Sequence, residues 1–255
     1  MKKTTTILCL GIALCMLGCS DDDDQVTTTS TVPFSLTASL SPRSSDAEDT
    51  GILQGNWDAN SQLAVIKTGS SGVPKSILTR KTDSSDTFTG NLSTLVKNEN
   101  EIAVFYPAAA ITANSSDTLT QTLNLSGQDG TLAGITNYDY LWAQCKAGMN
   151  ETTGSSACEM TSLVTIGKFQ FTVNGGSPLN NITRITITAT AGTLYSSAVM
   201  KLKNGEFSST QTGNITIKNK AGISGTTYIS FFPSEAQLHF TPVSYTHLRA
   251  HETSA

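Results

Sequence analysis

Thr118-Leu-Thr-Gln-Thr-Leu-Asn-Leu125 and Ile182-Thr-Arg-Ile-Thr-Ile-Thr188 decide the fold class. In the first stretch Leu119, Gln121, Leu123 and Leu125 alternate with Thr118, Thr120, Thr122 and Asn124. In the second, Ile185 and Ile187 alternate with Thr186 and Thr188. A period of two places one set on a sheet face and the other on its reverse. Threonine is β-branched and suits the solvent side of a strand. Ile215-Thr-Ile217 repeats the pattern, and Leu63-Ala-Val-Ile66, Ile102-Ala-Val-Phe-Tyr106, Phe169-Gln-Phe-Thr-Val173 and Tyr228-Ile-Ser-Phe-Phe232 read as further strands. Asp129-Gly130, Asn174-Gly-Gly176 and Asn204-Gly205 punctuate them. The last, between Val199-Met-Lys-Leu202 and Glu206-Phe207, reads as a two-residue hairpin turn. Past the leader no segment carries a helical period. Short strands about ten residues apart predict an all-β chain of β-sandwiches. A composition shift at 159–167 predicts a first unit over 32–160 and a second over 161–243.

The chain opens with Lys2-Lys3, an apolar run from Ile7 to Leu17, and then Gly18-Cys19-Ser20-Asp-Asp-Asp-Asp24. A basic start and a short apolar segment make a secretory signal over 1–18, too short to span a bilayer, which takes ~20 apolar residues. The cysteine after Leu-Gly resembles the lipobox of bacterial lipoproteins, which implies that Cys19 carries the acyl anchor. Residues 19–31 then form an acidic, polar tether, and the acidic run resembles the export tag of surface lipoproteins in Bacteroides-type bacteria. Removing Lys2 and Lys3 takes the formal charge from −4 to −6. No basic stripe marks a nucleic-acid partner.

Cys9 and Cys15 leave with the leader, so Cys145 and Cys158 remain in the folded part. Outside the inner membrane such a pair is a disulfide candidate, closing a loop worth ~3 kcal/mol in the chain-entropy model. Two free thiols are the other reading. The segment between them is rich in Gly, Ser, Thr and Asn and reads as a long hairpin loop. No metal set, cofactor motif or catalytic constellation emerges. His239 has no placed nucleophile partner, carboxylates are sparse, and no Gly-rich phosphate loop is present. The expectation is a protein that is not an enzyme and uses no cofactor. His247 and His251 fall in residues 244–255, whose Tyr245-Thr-His-Leu-Arg-Ala-His-Glu-Thr253 resembles a translation of sequencing-adapter DNA. That segment is read as an artefact, with the natural chain continuing past Val243.

Several motifs fall in order: Trp57-Asp-Ala-Asn60, Phe88-Thr-Gly90, Ile102-Ala-Val-Phe-Tyr-Pro107, Ser126-Gly-Gln-Asp-Gly130, Tyr138-Asp-Tyr-Leu-Trp-Ala143, Ile182-Thr-Arg-Ile-Thr-Ile187, Lys203-Asn-Gly-Glu206 and Phe231-Phe-Pro-Ser-Glu235. With the lipobox, this order resembles the fimbrillin family of Bacteroides-type bacteria, the FimA- and Mfa-like surface lipoproteins. The resemblance implies two tandem transthyretin-like β-sandwiches, the second incomplete here. It implies an outer-membrane lipoprotein acting as a pilus subunit in adhesion and biofilm formation, with other fimbrial subunits and a host or bacterial surface ligand as partners. It further implies cleavage by an arginine-directed protease after the first strand, followed by filling of the gap with a neighbour's strand. Arg43, in Ser41-Pro-Arg-Ser-Ser45, fits that cut and equally reads as an exposed loop arginine. Asp117-Thr118-Leu119 resembles the O-glycosylation signal of these bacteria, which makes Thr118 the candidate acceptor. The alternative function is a monomeric surface lipoprotein that binds glycans through exposed aromatics. Tyr138, Tyr140 and Trp142 alternate and would share one strand face. Core or interface packing is the other reading for Trp142 and for Trp57.

Overall fold

A computed structural model describes residues 30–42, 51–69, 73–82, 86–112, 120–172, 176–223 and 225–244. Cys19, Arg43, Thr118 and the two histidines of the C-terminal segment lie outside the described residues. The strands in chain order are β1 (Thr31–Ser39), β2 (Gln62–Lys67), β3 (Ser76–Arg80), β4 (Thr87–Ser93), β5 (Glu101–Tyr106), β6 (Thr120–Asn124), β7 (Leu141–Lys146), β8 (Gly148–Met149) and β9 (Gly154–Glu159). They continue with β10 (Thr161–Ser162), β11 (Thr165–Gln170), β12 (Ile182–Ala191), β13 (Tyr195–Lys201), β14 (Phe207–Thr212), β15 (Ile215–Ile223), β16 (Thr226–Phe231) and β17 (Gln237–Ser244). The fold is all-β, and its helical parts are single turns such as Leu132–Ile135.

Nine strands form one sheet in the order β10-β7-β5-β2-β3-β4-β1-β9-β8. The later strands form smaller sheets, β11-β16, β15-β12-β17 and β14-β13-β6. β2 explains how the two parts join. Leu63, Ala64, Val65 and Ile66 are all buried, so this strand has no solvent face. Leu63 and Val65 point into a core shared with Leu36, Leu78, Phe88, Ile102 and Val104. Ala64 and Ile66 point the other way, into a core shared with Leu123, Ile185, Ile187, Met200, Ile217 and Phe232. β5 divides likewise, with Phe105 facing the second core. An unbroken apolar run marks a strand covered on both faces, and here the β2-β5-β7 wall serves both cores.

The alternating stretches behave as their period requires. Ile185, Ile187, Ile215 and Ile217 are buried between partly or fully exposed neighbours. β6 is displaced from its position in sequence: Leu123 pairs with Ala198 of β13, inside the later part of the chain. The turn at Asn204-Gly205 also differs from expectation. Lys201 and Glu206 close it, with Gly205 donating to the Lys201 carbonyl at 2.9 Å, so four residues rather than two make the bend. Only Gly205 is left-handed, at φ 72°. The Trp142 ring lies where a Cβ on Gly205 would stand, so glycine is needed both for the turn and for the packing beneath it.

Candidate strand-acceptor site

β1 is interior to the nine-stranded sheet although it opens the described chain. On one side it runs antiparallel to β4, from Thr31↔Ser93 to Thr37↔Thr87. On the other it runs parallel to β9, from Phe34↔Gly154 to Ser39↔Glu159. It is the link between β4 and β9 in that sheet. Its inward residues Phe34, Leu36 and Ala38 are buried, at 2%, 0% and 0% exposure, while Ser35, Thr37 and Ser39 face outward. Fully burying side chains of this size contributes about 1.5–3 kcal/mol each for Phe and Leu.

The slot that holds β1 is graded in size. A Cβ on Gly154 would stand 2.7 Å from Phe34 Cδ2 and would also collide with Met149 Sδ. The absence of a side chain on β9 at this point leaves the room that the Phe34 ring occupies. At the other end the strand is small at Ala38, and Trp57 caps it. The Trp57 indole Nε1 donates to the Ala38 carbonyl at 2.6 Å, and its ring meets Phe88 and Tyr106 edge-on at 5.0 and 5.2 Å. Trp57 is 3% exposed and is a core anchor. Beyond Ser39, the Met160 amide donates to the Ser39 carbonyl at 3.0 Å and the Ser41 hydroxyl to Glu159 Oε1 at 3.2 Å. Pro42, the residue before Arg43, is exposed.

Cys145 on β7 and Cys158 on β9 are brought together. Both are half-buried thiols packed against the core that receives β1. Ser156, two residues before Cys158 on the same strand face, donates from Oγ to Cys145 Sγ at 3.2 Å. A hydrogen bond from the Cys158 thiol holds Cys145 down to about 7, and the same contact, with burial, pushes Cys158 up. One of the two ionises readily and the other serves as its donor.

The aromatic face that the alternative function would open to sugars is not open. Tyr138 lies in a 3-10 turn (Thr136–Tyr138) ahead of β7 and so does not share its alternation. Tyr140 is 4% exposed. Its hydroxyl donates to the Asn124 carbonyl at 2.8 Å, and burial pushes the phenol up to about 12. Trp142 is half-buried, and its Nε1 donates to the Leu202 carbonyl at 2.9 Å. These rings point outward from the first sheet, but the later strands cover that side. A cleft of about 450 Å³ lies instead between Ile52-Leu53 and the turn at Leu132–Ile135, with Asp58 and Asp139 at its wall. Among the described residues no three His, Cys, Asp or Glu side chains gather as a metal set.

No protein-family model and no curated protein matches the chain in sequence. Solved structures do match its backbone. A "putative cell adhesion protein" from Bacteroides uniformis superposes with a TM-score of 0.52 at 15% identity, over 83% of this chain and 80% of that one. A second, from Bacteroides ovatus and described in the same words, gives 0.50 at 14% identity over 84% and 86%. The fold is shared with them. It is consistent with the fimbrillin-like resemblance carried by the motifs. The signal that sequence reading missed here is Gly154, an isolated glycine in a strand, which marks a close approach by a neighbour.

Proposed function

We propose that the chain is a fimbrial subunit, or a fimbrium-associated lipoprotein of the outer membrane, in which β1 is a removable strand. Cys19 carries the acyl anchor, Arg43 is the cut that frees β1 from the rest, and a strand donated by another subunit then takes its place. Adhesion and biofilm formation follow from the assembled surface. Residues 32–160 and 161–243 are the two sandwiches, with β6 lent by the first to the second and β10 by the second to the first. The single observation that carries this reading is the position of β1. It is the first described strand, it has a ladder on both sides, and it presents large, large and small residues in sequence to one core. Its loss leaves the facing backbone groups of β4 and β9 unpaired above an apolar trough. A donated strand satisfies both needs at once. The shared backbone with two proteins named for cell adhesion supports the same reading, as does the lipobox.

The test is limited digestion with an arginine-specific protease. The expected result is one early cut after Arg43, release of the β1 fragment under mild denaturant, and a remaining body that stays folded by circular dichroism. A chain that is left intact at Arg43, or that unfolds completely once β1 is released, would contradict the proposal.

A further inference from the structure

We propose that Cys145 and Cys158 close a disulfide that braces β9 as one rail of the acceptor groove when β1 is absent. The bracing role rests on the strand-exchange reading above, whereas formation of the bond does not. β9 depends heavily on β1, which pairs with it from Gly154 to Glu159. Its other ladder, to β8, reaches only Ser155 and Gly154. After β9, the chain is next held where β10 pairs with Leu141 and Trp142 of β7. Cys158 stands opposite Ala38 of β1, in the half of β9 that the β8 ladder does not reach. A covalent tie from Cys158 to β7 would therefore hold the stretch that loses its partner.

The neighbourhood suits the bond. β7 and β9 are not hydrogen-bonded to each other in the sheet order, yet Ser156 of β9 touches the Cys145 sulfur, so the two strands face each other across one core. Cys145, Ser156 and Cys158 all lie on the inward, half-buried side. The oxidant is an external disulfide. The Cys145 thiolate attacks one of its sulfurs and expels the other as a thiolate. Cys158, giving up its proton, then attacks Cys145 Sγ in the mixed disulfide, expels the sulfur still bound there as a thiolate and forms the Sγ–Sγ bond. Two protein thiols are oxidised, and the external disulfide is reduced to two thiols. The more readily ionised Cys145 is the natural attacking group.

The experiment uses the full chain with oxidised glutathione in one arm and dithiothreitol in the other. Free thiols are blocked with iodoacetamide and the protein is digested with trypsin. Lys146 lies between the cysteines, so they fall in separate peptides that only the bond joins. The expected product of the oxidised arm is that joined pair, absent after reduction. Both cysteines fully alkylated in the oxidised arm would overturn the bond. Hydrogen exchange tests the brace in chain cut after Arg43 and stripped of β1. The amides of 156–159 should exchange several-fold more slowly in the oxidised form, and the Cys145→Ser, Cys158→Ser double variant should lose that dependence. Equal exchange in both arms with the bond present would overturn the brace while leaving strand exchange standing. A β1 that cannot be removed would sink the strand-exchange reading, and the bracing role with it, without touching the peptide result.

Discussion

Replacing Leu36 with aspartate should drive β1 out of the first core and lower the urea midpoint sharply. Leu36 has 0% exposure and sits mid-strand, opposite Phe88 of β4 and Ser156 of β9. A carboxylate there has no cationic partner among the core residues and no path to water, because strands flank β1 on both sides. An uncompensated buried charge costs about 3–5 kcal/mol, and the leucine's lost packing adds to that. The sum rivals the whole stability of a typical domain, ~5–15 kcal/mol. Urea unfolding followed by near-ultraviolet circular dichroism measures it. Leu36→Met should cost less than about 1.5 kcal/mol, and Thr37→Asp, one residue away on the exposed face, should stay within about 0.5 kcal/mol of the parent. If Leu36→Asp unfolded like the parent, β1 would not be a core strand.

Trp57→Ala should be the most damaging single truncation outside β1, at about 3–5 kcal/mol. The indole does three things from one position. It fills the core between Phe88 and Tyr106, it satisfies the Ala38 carbonyl, and it pins the end of β1 next to the chain that leads to Arg43. Trp57→Phe separates these roles, since the ring survives and the donor is lost. Leaving that carbonyl unpaired costs about 1–3 kcal/mol. Both variants should show a lower urea midpoint and faster cleavage by an arginine-specific protease at residue 43, with the alanine variant lower still. A Phe variant as stable as the parent would show that the Ala38 bond contributes nothing.

The sequence states the strands well because alternation is local. Ile185, Ile187, Ile215 and Ile217 face inward as their spacing requires, and Leu63–Ile66, without alternation, is buried on both sides. What alternation cannot state is which strand a strand pairs with. β6 joins β13, and β1 joins β9 in parallel from more than a hundred residues away. Nothing within a few residues of either strand encodes those partners. The same limit undid the sugar-binding reading. Tyr140 and Trp142 do face one way, but whether that way is solvent depends on strands from the far half of the chain. At Asn204-Gly205 the dipeptide marked a bend, and its length was fixed by the Lys201–Glu206 pairing around it. The slot that holds β1 was legible only in part. The Phe34, Leu36, Ala38 pattern is visible in the chain, whereas the space above Gly154 follows from register.

Hydrogen–deuterium exchange on the chain cut after Arg43 and freed of β1 tests most directly whether β4 and β9 bound a strand-shaped vacancy. Two peptides would be added to it, one with the sequence of residues 31–40 and one with its alternation shifted by a single residue. Such a shift turns every inward side chain outward. Amides of Thr87–Ser93 and Gly154–Glu159 should exchange faster once β1 is gone, and the native peptide should restore their protection while the shifted one fails to. Equal protection by both peptides, or no loss of protection when β1 leaves, would contradict a replaceable first strand.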